Sequence, residues 1–146
     1  MRMASHIEPN HLPGRDESLN MPYTPALKAH AGKLVFVAGT TAAPVYHQHP
    51  HRREDFDQVP DDPAEQARLT MEHLKEVLAA AGGSLQDVVV VNRYIRDVDQ
   101  NQDAINRVVN QYFGDHRPTS TTVEVVRMAT DPRLKLEISA IAVVSE

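Results

Sequence analysis

The 146-residue chain carries 15 Lys and Arg against 20 Asp and Glu, a formal net charge of −5, with 41% apolar and 24% charged residues. This balance predicts one globular domain, 1–146, and the lack of cysteine excludes disulfides, thiolate nucleophiles, iron–sulfur clusters and cysteine-held zinc. The acidic balance argues against a nucleic-acid partner, and no apolar run is long enough to span a bilayer.

The opening MRMASHIEPNH lacks the apolar stretch of a signal peptide, so a soluble cytoplasmic protein is expected. Segment 1–22 reads as extended: Pro9, Pro13, Pro22 and Pro25 forbid helix and predict turns, with an extra strand near the N-terminus. LVFVAG (34–39) is apolar and β-branched, the pattern of a buried strand. Residues 42–62 hold Pro44, Pro50 and Pro60 and the alternating His47, His49 and His51. This is a long loop, and loops of that length in compact domains are often functional.

A helix is predicted from Asp62 as N-cap, with Pro63 in the first position and Glu65 completing a capping box. Ala67, Met71, Leu74, Leu78 and Ala81 build its apolar stripe, and Gly82-Gly83 ends it. VVVVNRYI (88–95) is too β-branched for anything but a strand. A second helix starts near Asn101, with Ile105, Val108, Val109, Tyr112 and Phe113 on one side and Gly114 as its stop. Residues 121–126 and 136–144 read as two strands joined by the turn-like ATDPR, hence antiparallel. Strand–helix–strand order favours right-handed crossovers and parallel neighbours. The fold class expected is α+β, with two helices on one face of a mixed sheet. The strands are apolar on both faces, so oligomerisation is the natural cover for the second.

In order and with similar gaps, YTPAL (23–27), LVFVAG, AEQARLTMEHLKEVLAAAGGSLQDVV, INRVVNQYF (105–113), RPTSTTVEVVRM (117–128) and KLEISAIAVV (135–144) resemble the Rid family of reactive-intermediate deaminases. The resemblance covers about residues 23–144. It implies a chorismate-mutase-like fold of the bacillus type and a homotrimer. It also implies interface clefts where small carboxylate-bearing imines and enamines are hydrolysed, without metal or other cofactor. The family's N-terminal tyrosine falls on Tyr23, its strand-end glycine on Gly39, and its water-holding glutamate on Glu137. The arginine of deaminating members, which pairs with the substrate carboxylate, falls on Ser120. A serine offers one neutral donor where a guanidinium offers a charged fork, so an altered substrate specificity is expected, with weak hydrolysis of generic 2-imino acids.

Ser120, Thr122 and Glu124 alternate on their strand and share one face. The resemblance places Ser120 and Thr122 in the cleft as substrate-binding hydroxyls. A serine nucleophile is disfavoured, because no G-x-S-x-G elbow or His–Asp pair accompanies it. The three histidines fit a solvated loop better than a metal site, and neighbouring Arg52 and Arg53 could replace the anchor if the loop folds over a neighbouring cleft. Arg93 interrupts an apolar strand and so needs a partner. It is read either as half of an intersubunit salt bridge or as a relocated substrate carboxylate anchor. Glu137 is correspondingly a water-holding base or an arginine's partner. The function expected is hydrolysis of a small imine or enamine metabolite, with a non-catalytic ligand-binding or regulatory trimer and an endoribonuclease as alternatives.

Overall fold

The computed structural model describes residues 4–14, 21–44 and 49–146. Two short strands, β1 (Ile7–Asn10) and β2 (Ala26–Ala29), pair antiparallel as a separate ribbon. The main sheet contains β3 (Lys33–Thr40), β4 (Val88–Ile95), β5 (Thr119–Glu124) and β6 (Leu136–Val144) in the order β3-β6-β4-β5. Strand β6 runs antiparallel to both neighbours, while β4 and β5 are parallel. The helices α1 (Pro63–Ala80) and α2 (Val98–Phe113) pack together on one face.

The sheet is mixed, as expected, but its strand order departs from chain order. Strands β3 and β4 are parallel without touching, because β6 lies between them. The turn after β5 likewise leads to no pairing of β5 with β6, since β4 separates them. The physical reason is burial. Strand β6 (LEISAIAVV) is the most continuously apolar strand and takes a central place, where both edges are paired and both faces can be covered.

Even positions of β6 face the helices: Leu136, Ile138, Ala140 and Ala142 join Val37, Val91 and Ile95 against Met71, Leu74, Leu78, Ile105 and Val109. Ala67, Met71, Leu74 and Leu78 are fully buried, which bears out the stripe of the first helix, while Ala81 is its exposed C-cap. Asp62 caps that helix by accepting from the Ala64 N–H at 3.1 Å. Glu65 does not close a capping box but turns to Arg68, at 2.6 Å.

Helix α2 begins at Val98, three residues before the expected Asn101, because Asp97 adopts a left-handed conformation (φ 50°) and the Glu124 carboxylate accepts from the Val98 N–H at 2.9 Å. Strand β5 ends at Glu124, and Val126, expected inside it, stands exposed beyond it. LVFVAG is a strand but is buried on one face only: Leu34 is 63% and Phe36 72% exposed on the face the helices leave open.

The loop after β3 contains a 3-10 turn, Arg53–Phe56. Arg133 clamps it to the β5–β6 connection through Asp57 (2.7 Å), the Arg53 carbonyl (2.7 Å) and Asp131 (2.9 Å). Among the described residues no helix is long and apolar enough to cross a membrane.

Candidate functional site

The six site residues read from the sequence fall into two cavities at opposite edges of the sheet. Gly39 and Glu137 line a cavity of about 350 Å3 at the β3 edge, and Tyr23, Arg93, Ser120 and Thr122 line one of about 140 Å3 at the β5 edge. Within one chain they are divided between two edges, and the single cleft implied by the resemblance is one formed between subunits.

The first cavity is made by a break in pairing. The register of β3 on β6 shifts between Val37 and Thr40, so Ala38 and Gly39 bulge opposite Ser139, and the Glu137 side chain of β6 reaches Gly39. The Glu137 carboxylate fills the space a side chain at residue 39 would need: an added Cβ there would lie 2.9 Å from its Cδ and 3.0 Å from Oε2. Glycine thus leaves the carboxylate room to sit where it does. Pairing with Tyr94 sets Glu137 on the open face, while its neighbours Leu136 and Ile138 enter the core.

Helix α1 closes the far wall with His73 and Glu76. His73 Nδ1 lies 2.8 Å from the Thr41 carbonyl, an acceptor, so Nδ1 carries the proton and Nε2 remains as the ring's second position. Both residues escaped the sequence analysis, because they sit among helical positions whose visible signal was the apolar stripe. The spacing 73, 76 on the flank of that stripe was the available clue.

The second cavity is built by parallel register. Ser120 pairs with Val91 and Thr122 with Arg93, which puts both hydroxyls on the helix-side face with the guanidinium. The shared face of Ser120, Thr122 and Glu124 is as expected, though Glu124 caps α2 instead of lining a cleft. Tyr23 is delivered by its neighbour: the Thr24 N–H donates to the Pro118 carbonyl at 3.3 Å, and its hydroxyl donates to the Arg117 carbonyl.

Arg93 is 4% exposed. Nη1 donates to Asn106 Oδ1 at 2.8 Å and Nη2 to Asn110 Oδ1 at 3.2 Å, both from α2. These amides were not foreseen; their i, i+4 spacing was the only sequence signal. Within the chain Arg93 makes no ion pair among the described residues, and its buried Nε has no hydrogen-bond partner. Burial lowers its pKa to about 10, so the group remains cationic at neutral pH.

Ala43 and Pro44, at the start of the histidine loop, line the first cavity, and His49 and His51 line neither. His51 Nε2 donates to the Thr130 carbonyl at 2.9 Å and its ring stacks edge-on against Phe56. Arg52 reaches Asp55 at 3.6 Å. His47 lies outside the described residues.

A family model described as Endoribonuclease L-PSP matches residues 17–144. The chain belongs to this family, the Rid family. A protein of Escherichia coli named as a candidate reactive intermediate deaminase, TdcF, is 37% identical over 115 residues, 77% of this chain and 80% of that protein. A RutC family protein of Pyrococcus abyssi is 35% identical over 119 residues, 82% of this chain and 85% of its own length. The crystal structure of E. coli TdcF with bound serine superposes with a TM-score of 0.63 at 33% identity, covering 86% of this chain and 90% of that one. A Rid protein of Yersinia pestis, YyfB, matches at TM-score 0.77 and 22% identity, which bears on the fold alone. Both Rid structures carry the α+β arrangement of two helices on a mixed sheet seen here.

Proposed function

We propose that this Rid protein hydrolyses a small imine or enamine to a carbonyl compound and ammonia, in clefts completed between the subunits of a homotrimer. The observation that carries the reading is the Glu137 carboxylate seated in the Gly39 bulge, at the wall of a cavity large enough for a small metabolite. A carboxylate there accepts a proton from water as the water oxygen bonds to the C=N carbon. The resulting carbinolamine expels ammonia once its nitrogen is protonated, and the hydroxyl proton leaves as the carbonyl forms. The Gly39 backbone N–H and the Ser120 and Thr122 hydroxyls hold the polar end of the substrate, and Tyr23 closes the cleft.

The two cavities lie at opposite sheet edges, so a head-to-tail ring brings the β3 edge of one copy to the β5 edge of the next. Three copies closing such a ring make three equivalent clefts. The name of the relative TdcF supports the deaminase reading over that of an endoribonuclease. A net charge of −5 further opposes phosphate binding. A ligand-binding trimer without chemistry differs from this reading in its response to loss of the base.

The test is a competition assay on imines generated from a panel of amino acids by an amino acid oxidase. The protein is expected to hasten decay of at least one imine, and Glu137→Gln to slow that turnover by about 10²- to 10⁴-fold in an intact assembly. No acceleration with any imine, or an undiminished rate in Glu137→Gln, overturns the reading.

A further inference from the structure

Expulsion of ammonia from a carbinolamine needs a proton on nitrogen, because an amide anion is too basic to leave. Glu137 takes a proton in the first step, so a second group must supply this one.

The β3-edge cavity holds such a group. His73 lines it together with Glu137 and Glu76. Nδ1 donates to the Thr41 carbonyl at 2.8 Å, which fixes the plane of the ring. Nε2 then has no hydrogen-bond partner among the described residues, yet it is not sealed from solvent. One stretch of chain positions both groups. Gly39 leaves room for the Glu137 carboxylate, and Thr41, two residues on, anchors the imidazole. The cavity is lined by no lysine or arginine, and its threonine hydroxyls are far too weak as acids. An imidazole gains and releases a proton near neutral pH, which suits it to the task.

We propose that His73 is the proton donor to the leaving nitrogen, acting through Nε2 on the intermediate that Glu137 helps to form. This rests on the imine hydrolysis proposed above. Water adds to the protonated imine and gives one proton to Glu137. The carbinolamine nitrogen then takes the Nε2 proton of the imidazolium. The C–N bond breaks with its electron pair on nitrogen, and ammonia departs. The hydroxyl proton passes to Nε2 as the carbonyl forms, so the ring ends protonated as it began. Glu137 returns its proton to water. The Thr41 carbonyl keeps Nδ1–H in place throughout, so Nε2 is the nitrogen that exchanges.

Two substitutions separate this chemistry from a structural role. Asparagine at 73 places an amide N–H near the position of Nδ1 and can keep the bond to Thr41, but it has no acid. Glutamine reaches the position of Nε2 and gives up that bond. The intact protein, Glu137→Gln, His73→Asn and His73→Gln are compared on an imine that the wild type turns over, with circular dichroism as the check on folding. His73→Asn is expected to fold normally and to lower kcat by about 10²-fold with KM little changed, the mark of an interaction made in the transition state. In His73→Ala, added imidazole is expected to restore part of the turnover. Pyrazole, of the same shape but unprotonated at neutral pH, is expected to restore none.

Full turnover in His73→Asn overturns the proposal, and with low turnover in His73→Gln it shows the ring to be only an anchor for Thr41. Equal effects of imidazole and pyrazole overturn it as well. Loss of turnover in Glu137→Gln beside full turnover in His73→Asn rejects this donor and leaves the proposed function standing. A wild type that turns over no imine overturns both.

Discussion

A single methyl group at Gly39 tests the geometry of the proposed base. Its Cβ would meet the Glu137 carboxylate, the far end of a side chain able to swing away, so Gly39→Ala should fold normally and displace the carboxylate. Its melting temperature should stay close to that of the parent, while turnover of any imine substrate should fall by about 10²-fold, the scale of an ångström's misplacement at a reacting centre. A variant with full turnover would detach the carboxylate's position from the chemistry. Glu137 and Arg93 were both legible in the sequence for the same reason: each is a charge set in an apolar strand, where burial demands a purpose. The partners of Arg93 were not legible. Asn106 and Asn110 are ordinary polar positions of an amphipathic helix until the fold turns them towards β4. The resemblance joined Gly39, Glu137, Ser120 and Tyr23 in a cleft between subunits, and the single chain holds them at its two opposite sheet edges.

Elements were legible where the pattern was local, and less so where a distant group decided. The 88–95 strand coincides with β4 at both ends because four consecutive valines leave no alternative. The start of α2 was misplaced because its cap comes from Glu124, on another strand. Glu124→Ala should therefore cost about 1 kcal/mol in urea unfolding, the worth of a typical N-terminal cap, and an unchanged midpoint would show that water serves equally well. The turn between α2 and β5 holds a second hidden device. His116 is fully buried, with Nε2 2.7 Å from the Val88 carbonyl and no partner for Nδ1. Burial depresses its pKa below the ordinary 6.5. The unfolded chain then binds the proton more readily than the folded one, so this contribution to stability is full above pH ~6.5 and declines as pH falls from there towards the folded pKa. Thermal melts across that range should show the decline, and His116→Gln should flatten it; parallel profiles for the two proteins would discount His116.

At the scale of the molecule the open face of the sheet is the feature that remains to be covered. Leu34 and Phe36 stand on the edge strand β3, and Val123 is exposed on the other edge strand, β5. Apolar side chains at both edges of one sheet face are what successive copies in a closed ring would bury, at about 25 cal/mol for each Å2 removed from water. The same contact would bring the Glu137 cavity of one copy towards the Arg93 cavity of the next, so the chemistry proposed above would depend on assembly. Sedimentation velocity at micromolar concentration should therefore find a trimer. Phe36→Glu should yield monomers with a native circular dichroism spectrum, because residue 36 lies outside the core the helices cover. Those monomers should have lost imine turnover, since each keeps both half-sites but has no neighbour to complete a cleft. A wild-type protein that sediments as a monomer would remove the assembly from the mechanism. A Phe36→Glu monomer with full turnover would show instead that the two cavities work within a single chain.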